Sequence, residues 1–164
     1  MSKLEVREIG PISGETEVRL ADGATAVGFG GGGKVLQVVS ESTNVHSSTT
    51  STTDWVPTGL EATITPTSIN SKIFIVMTCC LDSVHANAMS GIAIFDKNSS
   101  KIQQTRTSGA SSSGSGQITL LDSPASTSPQ TYQIKMKLDS ASTMNFNLAN
   151  GSATSSITLM EIAG

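Results

Sequence analysis

Residue types that could do chemistry are few in this 164-residue chain, and they are scattered. Gly28-Phe-Gly-Gly-Gly-Gly33-Lys34 matches in form both a G-x-x-x-x-G-K phosphate loop and a G-x-G-x-x-G dinucleotide fingerprint. A phosphate loop also needs Ser or Thr after the lysine to hold magnesium, and a helix whose N-terminus faces the phosphates. Here Val35 follows, and Val35-Leu-Gln-Val-Val39 has the composition of a strand. The glycines are therefore expected to form a flexible hinge, not a nucleotide site.

The remaining candidates are equally sparse. Cys79 and Cys80 are adjacent in an apolar run, where successive strand side chains point to opposite faces, so both are expected to be free, buried thiols. His46 and His85 sit in separate polar segments without metal-ligand spacing, and no Ser, His and acid set is suggested. Asp82, Asp96, Asp122 and Asp139 lie at strand ends, where a carboxylate pair for glycoside hydrolysis could assemble. Asp is also a common turn former there. No catalytic site, cofactor or metal is expected.

The stretch that must position everything else is Ser71-Lys-Ile-Phe-Ile-Val-Met-Thr-Cys-Cys-Leu-Asp82. Ile73, Ile75, Met77, Cys79 and Leu81 alternate with Phe74, Val76, Thr78 and Cys80, so both faces are apolar or small. This reads as a central strand covered on both sides, by a second sheet or another subunit. A buried helix is disfavoured by the β-branched composition and by the turn residues Pro66 to Ser71.

Other segments repeat the strand signal. Leu60 to Thr65 alternates, Gly91-Ile-Ala-Ile-Phe95 is a second buried strand turning at Asp96 to Ser100, and Gln117 to Leu121 returns to the sheet. Tyr132, Ile134, Met136 and Leu138 face one way and Gln133, Lys135 and Lys137 the other, which gives a strand with one wet face. Met144, Phe146 and Leu148 alternate with Asn145 and Asn147, Asn150-Gly151 makes a turn, and Ser156 to Ile162 is the last strand. Residues 42–53 and 105–116 read as Ser- and Thr-rich surface loops. Trp55, the only tryptophan, is expected to plug one end of the core, with an exposed ligand platform as the alternative.

Composition sets further bounds. Ser and Thr exceed a quarter of the residues, 14% are charged and the net charge is -3. Ten scattered Lys and Arg residues leave no footprint for nucleic acid, and no basic amphipathic helix for a membrane surface. Without an apolar leader or a membrane-length apolar run, the chain is expected to be made in a cytoplasm and to stay soluble. One domain, residues 34–164, follows an arm and hinge, residues 1–33. The arm's alternating pieces carry only Leu4, Val6, Ile9, Ile12, Val18 and Leu20 as apolar residues and need another surface to order them.

The segments Lys34 to Val39, Ser51 to Pro66, Ser71 to Ile75, Leu121-Asp-Ser-Pro124, Thr131-Tyr132 and Ser156 to Ile162 resemble, in order and spacing, a domain of virion structural and tail-fibre proteins of marine bacteriophages. The resemblance covers about residues 34 to 164 and implies a trimeric β-sandwich knob. Read from the strands themselves, the fold is all-β: a single antiparallel β-sandwich, jelly-roll-like, with a short extended N-terminal arm. The expected role is a homotrimeric knob on the virion surface. It would attach to other virion proteins through arm residues Leu4, Val6, Ile9, Val18 and Leu20, and Asn44, His46, Arg106 and Ser112 would be candidates for contact with a host surface glycan. A capsid decoration (cement) protein is the alternative, and a glycan-cleaving enzyme on the same scaffold a remote one.

Overall fold

Alternation in the sequence becomes alternation of burial along most of the strands. In Gln130–Leu138 the pattern is strict: Tyr132, Ile134, Met136 and Leu138 are buried while the residues between them are half-buried. The structure, a computed structural model, describes residues 33–83, 88–109, 114–139 and 143–164. The arm lies outside the described residues, as do His85 and Ser112.

Among the described residues ten strands form: β1 (Val35–Thr43), β2 (Ser47–Thr49), β3 (Val56–Ile64), β4 (Lys72–Ser83), β5 (Ala88–Phe95), β6 (Lys101–Gly109), β7 (Gly114–Asp122), β8 (Gln130–Leu138), β9 (Met144–Phe146) and β10 (Ser155–Ile162). In the first sheet β7 pairs with β4, β4 with β10 and β9, and these with β1 and β2, so that β1/β2 and β9/β10 are two interrupted rows. The second sheet runs β3-β8-β5-β6. Every pairing is antiparallel.

The pairs are nested: β1 with β10, β3 with β8, β4 with β7, β5 with β6. Successive pairs fall alternately in the first and second sheets. That is one long hairpin, with its tip at Asp96 to Ser100, rolled into two packed sheets, which defines a jelly roll. The core lies between the sheets. Ile73, Ile75 and Met77 of β4 and Ile157 and Leu159 of β10 meet Ile92, Ile94, Ile134 and Met136 from the other sheet, all without exposed surface. Each such side chain contributes about 1.5–3 kcal/mol.

Registers define two ends. Val35 is level with Ile162 and Lys72, and Asp122 with Ile73, so the chain enters the sandwich at the end that also carries the turns after β3, β5 and β7. At the far end, Thr49 is level with Met144 and Ser83, Leu81 with Gly114, and Ala88 with Gly109.

Two expectations are corrected. Residues 42–43, 47–49, 105–109 and 114–116 belong to β1, β2, β6 and β7, not to loops, because Ser and Thr suit a pleated surface and β10, β9, β5 and β4 supply hydrogen-bond partners for them. Asn147 does not alternate outward. It takes a positive φ of 59°, ends β9 and is fully buried. Its amide donates to the carbonyls of Thr43 and Val45, each at 3.0 Å, bridging the gap between β1 and β2.

At the entry end Glu161 has no exposed surface. Its carboxylate accepts from Gln37 Nε2 at 2.6 Å and from the Thr67 backbone N–H and hydroxyl, each at 2.7 Å, tying the last strand to β1 and to the turn after β3. Ser71 Oγ, buried and without a well-formed bond of its own, faces the same carboxylate. Burial pushes the carboxyl up, but the Ser71 hydroxyl, the Gln37 amide and the two Thr67 donors outweigh it and hold it down at about 2.

Candidate functional site

The glycine run that matches nucleotide motifs in form leads into a strand. Gly33 N–H donates to the Ala163 carbonyl and the Lys34 carbonyl accepts from Ala163 N–H, so the lysine leads into β1 and no helix N-terminus follows it. The four aspartates each have a structural partner. Asp96 Oδ1 accepts from the backbone N–H groups of Asn98 and Ser100. Asp122 accepts from Tyr132 Oη at 2.7 Å, Asp82 from Asn145 at 3.5 Å, and Asp139 pairs with Arg106 at 3.5 Å. Burial and the Asp122 carboxylate together push the Tyr132 hydroxyl well above its ordinary range. Among the described residues no cluster of metal-ligating side chains forms, and no helix is long and apolar enough to cross a membrane.

Both cysteines are free, but only Cys79 is buried. Burial drives its thiol up to about 12, against the lowering effect of its contact with the Gly116 carbonyl. Cys80 points outward, half-buried, and is raised by that partial burial and by Asp82. It lines an open depression with Thr78, Gly114, Ser115 and Thr154, which bears no charged side chain.

The predicted contact residues do not converge. Asn44 and His46 are exposed between β1 and β2, on one edge of the first sheet, and His46 Nε2 lies 3.3 Å from Asn145 Oδ1. Arg106 is on β6, the edge of the second sheet, and reaches across β5 to Asp139 at the end of β8. Since β1 packs by β3 and β6 by β7, these are opposite edges of the sandwich.

Two broad features were not singled out from the sequence. The first is the outward face of the β7-β4-β10-β1 sheet. Cross-strand register lines up Val38, Met160, Phe74 and Leu121 in one apolar row over all four strands. Val38 is 57% and Leu121 51% exposed. The next two rows, Ser40-Thr158-Val76-Thr119 and Ser42-Ser156-Thr78-Gln117, are hydroxyl-rich and carry no charge. So the central strand β4 is fully buried on one face only; its other face is half-covered and open.

The second feature is the outward face of the other sheet, which carries Lys135 and Lys137 on β8 and Lys101 on β6. Trp55 belongs to this face and does not plug an end of the core. Gly91, level with Lys137, leaves a slot there: a Cβ at Gly91 would stand 3.1 Å from the indole. The ring meets Phe95 edge-on, with centroids 5.6 Å apart and planes at 61°. Ala93, between Gly91 and Phe95 on the same face, is fully buried in consequence. Only the register of β5 against β8 could have revealed this slot.

The fold and its surfaces define a jelly-roll β-sandwich with an exposed apolar row on one outer face and a cluster of lysines on the other. No family model matches the chain, and no curated protein matches it. Among solved structures it is similar to Eiger TNF from S. frugiperda, at 7% identity and TM-score 0.37, over 73% of this chain and 92% of that one. It is also similar to a chain of the infectious bursal disease virus Gt strain, at 10% identity and TM-score 0.44, over 91% of this chain and 43% of that one. For the infectious bursal disease virus VP2 subviral particle the values are 10%, 0.36, 77% and 38%. The chain thus spans less than half the length of the two viral chains.

Proposed function

We propose that the chain is a bacteriophage virion structural protein: a homotrimeric knob on the particle surface, held through its N-terminal arm and hinge to other capsid or tail proteins. The observation that carries this reading is the apolar row on the outward face of the β4 sheet. That row, Val38-Met160-Phe74-Leu121, spans four strands and has no partner within the described residues. Contiguous exposed apolar surface of this kind marks an interaction site, and burial among identical copies closed into a ring would cover it. The adjacent edge strand β1, with Val35 47% and Leu36 41% exposed, would gain cover in the same assembly.

The two-ended layout also supports the reading. The chain enters at one end, while β2, β4, β6 and β8 end at the other, which would face away from the particle toward a host surface. Light scattering on the full-length protein tests the assembly. A trimer that dissociates to folded monomers in Phe74→Glu/Leu121→Glu is expected; a wild-type monomer would overturn it. Copy number per particle separates a tail knob from a capsid decoration protein, since a lattice protein is present in far more copies.

A further inference from the structure

Three ammonium groups crowd one aromatic pair on the outward face of the second sheet. Lys101 Nζ lies 5.2 Å and Lys137 Nζ 5.7 Å from the centroid of Trp55, and Lys135 Nζ 4.5 Å from that of Phe95. Lys101 donates to Gln104 Oε1 at 2.7 Å. Among the described residues none of the three makes an ion pair; the ion pair on this sheet is Arg106 with Asp139. Cation–π attraction offsets part of the mutual repulsion, at about 0.5–1 kcal/mol per exposed pair. It leaves the charges uncompensated in a chain whose net charge is -3.

We propose that this face is a binding site for an anionic polysaccharide, its sulfate or carboxylate groups taken by Lys135, Lys137 and Lys101 and a sugar ring laid against Trp55. Each part of the site suits that chemistry. A half-buried indole offers apolar surface for the C–H face of a sugar, held in place by Gly91 beneath it and Phe95 at its edge. The lysines supply charge-assisted hydrogen bonds around it.

A single-stranded nucleic acid fits less well, because it needs a long cationic track and several stacking platforms. Here the cations form one compact group. Beyond them, along β8, the face continues into Gln133 bonded to Glu61 at 2.8 Å, an amide and a carboxylate that favour sugar hydroxyls over a continuous phosphate chain. The site lies on the sheet opposite to the proposed assembly face. Its failure would leave the trimer reading untouched.

Trp55 is the only tryptophan, so its emission reports on the site directly. The full-length protein would be titrated with dextran sulfate, polygalacturonate, neutral dextran and a single-stranded oligonucleotide. A saturable change with dextran sulfate or polygalacturonate, weakened by added salt and absent with neutral dextran, is expected, and which polymer acts identifies the anionic group. Lys135→Gln/Lys137→Gln should lose at least about tenfold in affinity at an unchanged melting temperature. Lys101→Gln, whose side chain is exposed, gives a second variant with loss in the same direction. No saturable change with either acidic polymer, undiminished affinity in both lysine variants, or equal binding of the oligonucleotide would overturn the proposal.

Discussion

The hydroxyl of Ser155 donates to Asn147 Oδ1 at 2.6 Å, and neither residue has exposed surface. With the two bonds from the Asn147 amide to Thr43 and Val45, one side chain joins the start of β10 to the break between β1 and β2. Two interrupted rows are thereby pinned at the same level. Removing the amide leaves a buried hydroxyl and two carbonyls short of partners, and Ala also resists the positive φ. Asn147→Ala should therefore cost about 3 kcal/mol or more, and Asn147→Gly should recover roughly 1 kcal/mol by relieving the backbone alone. Urea denaturation of the two variants checks the order; equal stability of both would remove the backbone term.

Cys79 and Gly116 are directly opposed in β4 and β7, and a Cβ on Gly116 would stand 2.9 Å from Cys79 Sγ and 3.2 Å from Leu81 Cδ1. Gly116→Ala should overpack the core and cost about 1–3 kcal/mol. Cys79→Ala opens the space that the new methyl needs. The double variant should accordingly be more stable than the sum of the singles by about 0.5 kcal/mol or more. Strict additivity in denaturant titrations would mean that the methyl is accommodated elsewhere.

The sheet-forming segments were legible because burial on one face writes itself as period two. Ile73 to Leu81 and Tyr132 to Leu138 fall where their alternation puts them. The features that failed to show depend on what lies across a strand, not along it. The Val38-Met160-Phe74-Leu121 row joins four segments distant in sequence, and Trp55 finds its slot only because Gly91 comes level with Lys137. Asn147 was misread because a local pattern cannot see the two carbonyls that turn it inward. The many short strands already pointed to a jelly-roll-like sandwich, but its strand order came from nested pairings that no local pattern encodes.

Met77 stands at the centre of β4 with no exposed surface, level with Ile118 on one side and Ile157 on the other. Met77→Asp would bury an unpaired carboxylate among aliphatic neighbours, costing several kcal/mol against a total stability of roughly 5–15 kcal/mol. Thr127→Asp, in the exposed crossing between β7 and β8, should stay within about 0.5 kcal/mol of wild type. Thermal melts of the pair decide whether β4 is the buried strand that organises the fold; a wild-type melt for Met77→Asp would refute it.

Glu161 should make the fold acid-sensitive in a defined window. Its folded carboxyl is held at about 2, below the ordinary 4.5, so the group binds a proton more weakly in the native state than in the unfolded chain. The stabilisation is then fully present above pH 4.5 and is lost as pH falls through 4.5 toward 2. Glu161→Gln cannot titrate, and its amide nitrogen would oppose the Gln37 donor where an oxygen now accepts. That variant should be less stable than wild type at neutral pH. The gap between the two should narrow as pH drops through the window, because protonation strips wild-type Glu161 of the charge that its donors favour. Other carboxylates titrate in the same range, but they are common to both proteins and cancel in the difference. Melting temperatures measured in parallel from about pH 7 to about pH 2 test it: a gap that stays constant across the window would show that Gln37, Thr67 and Ser71 do not hold the carboxylate in its charged form.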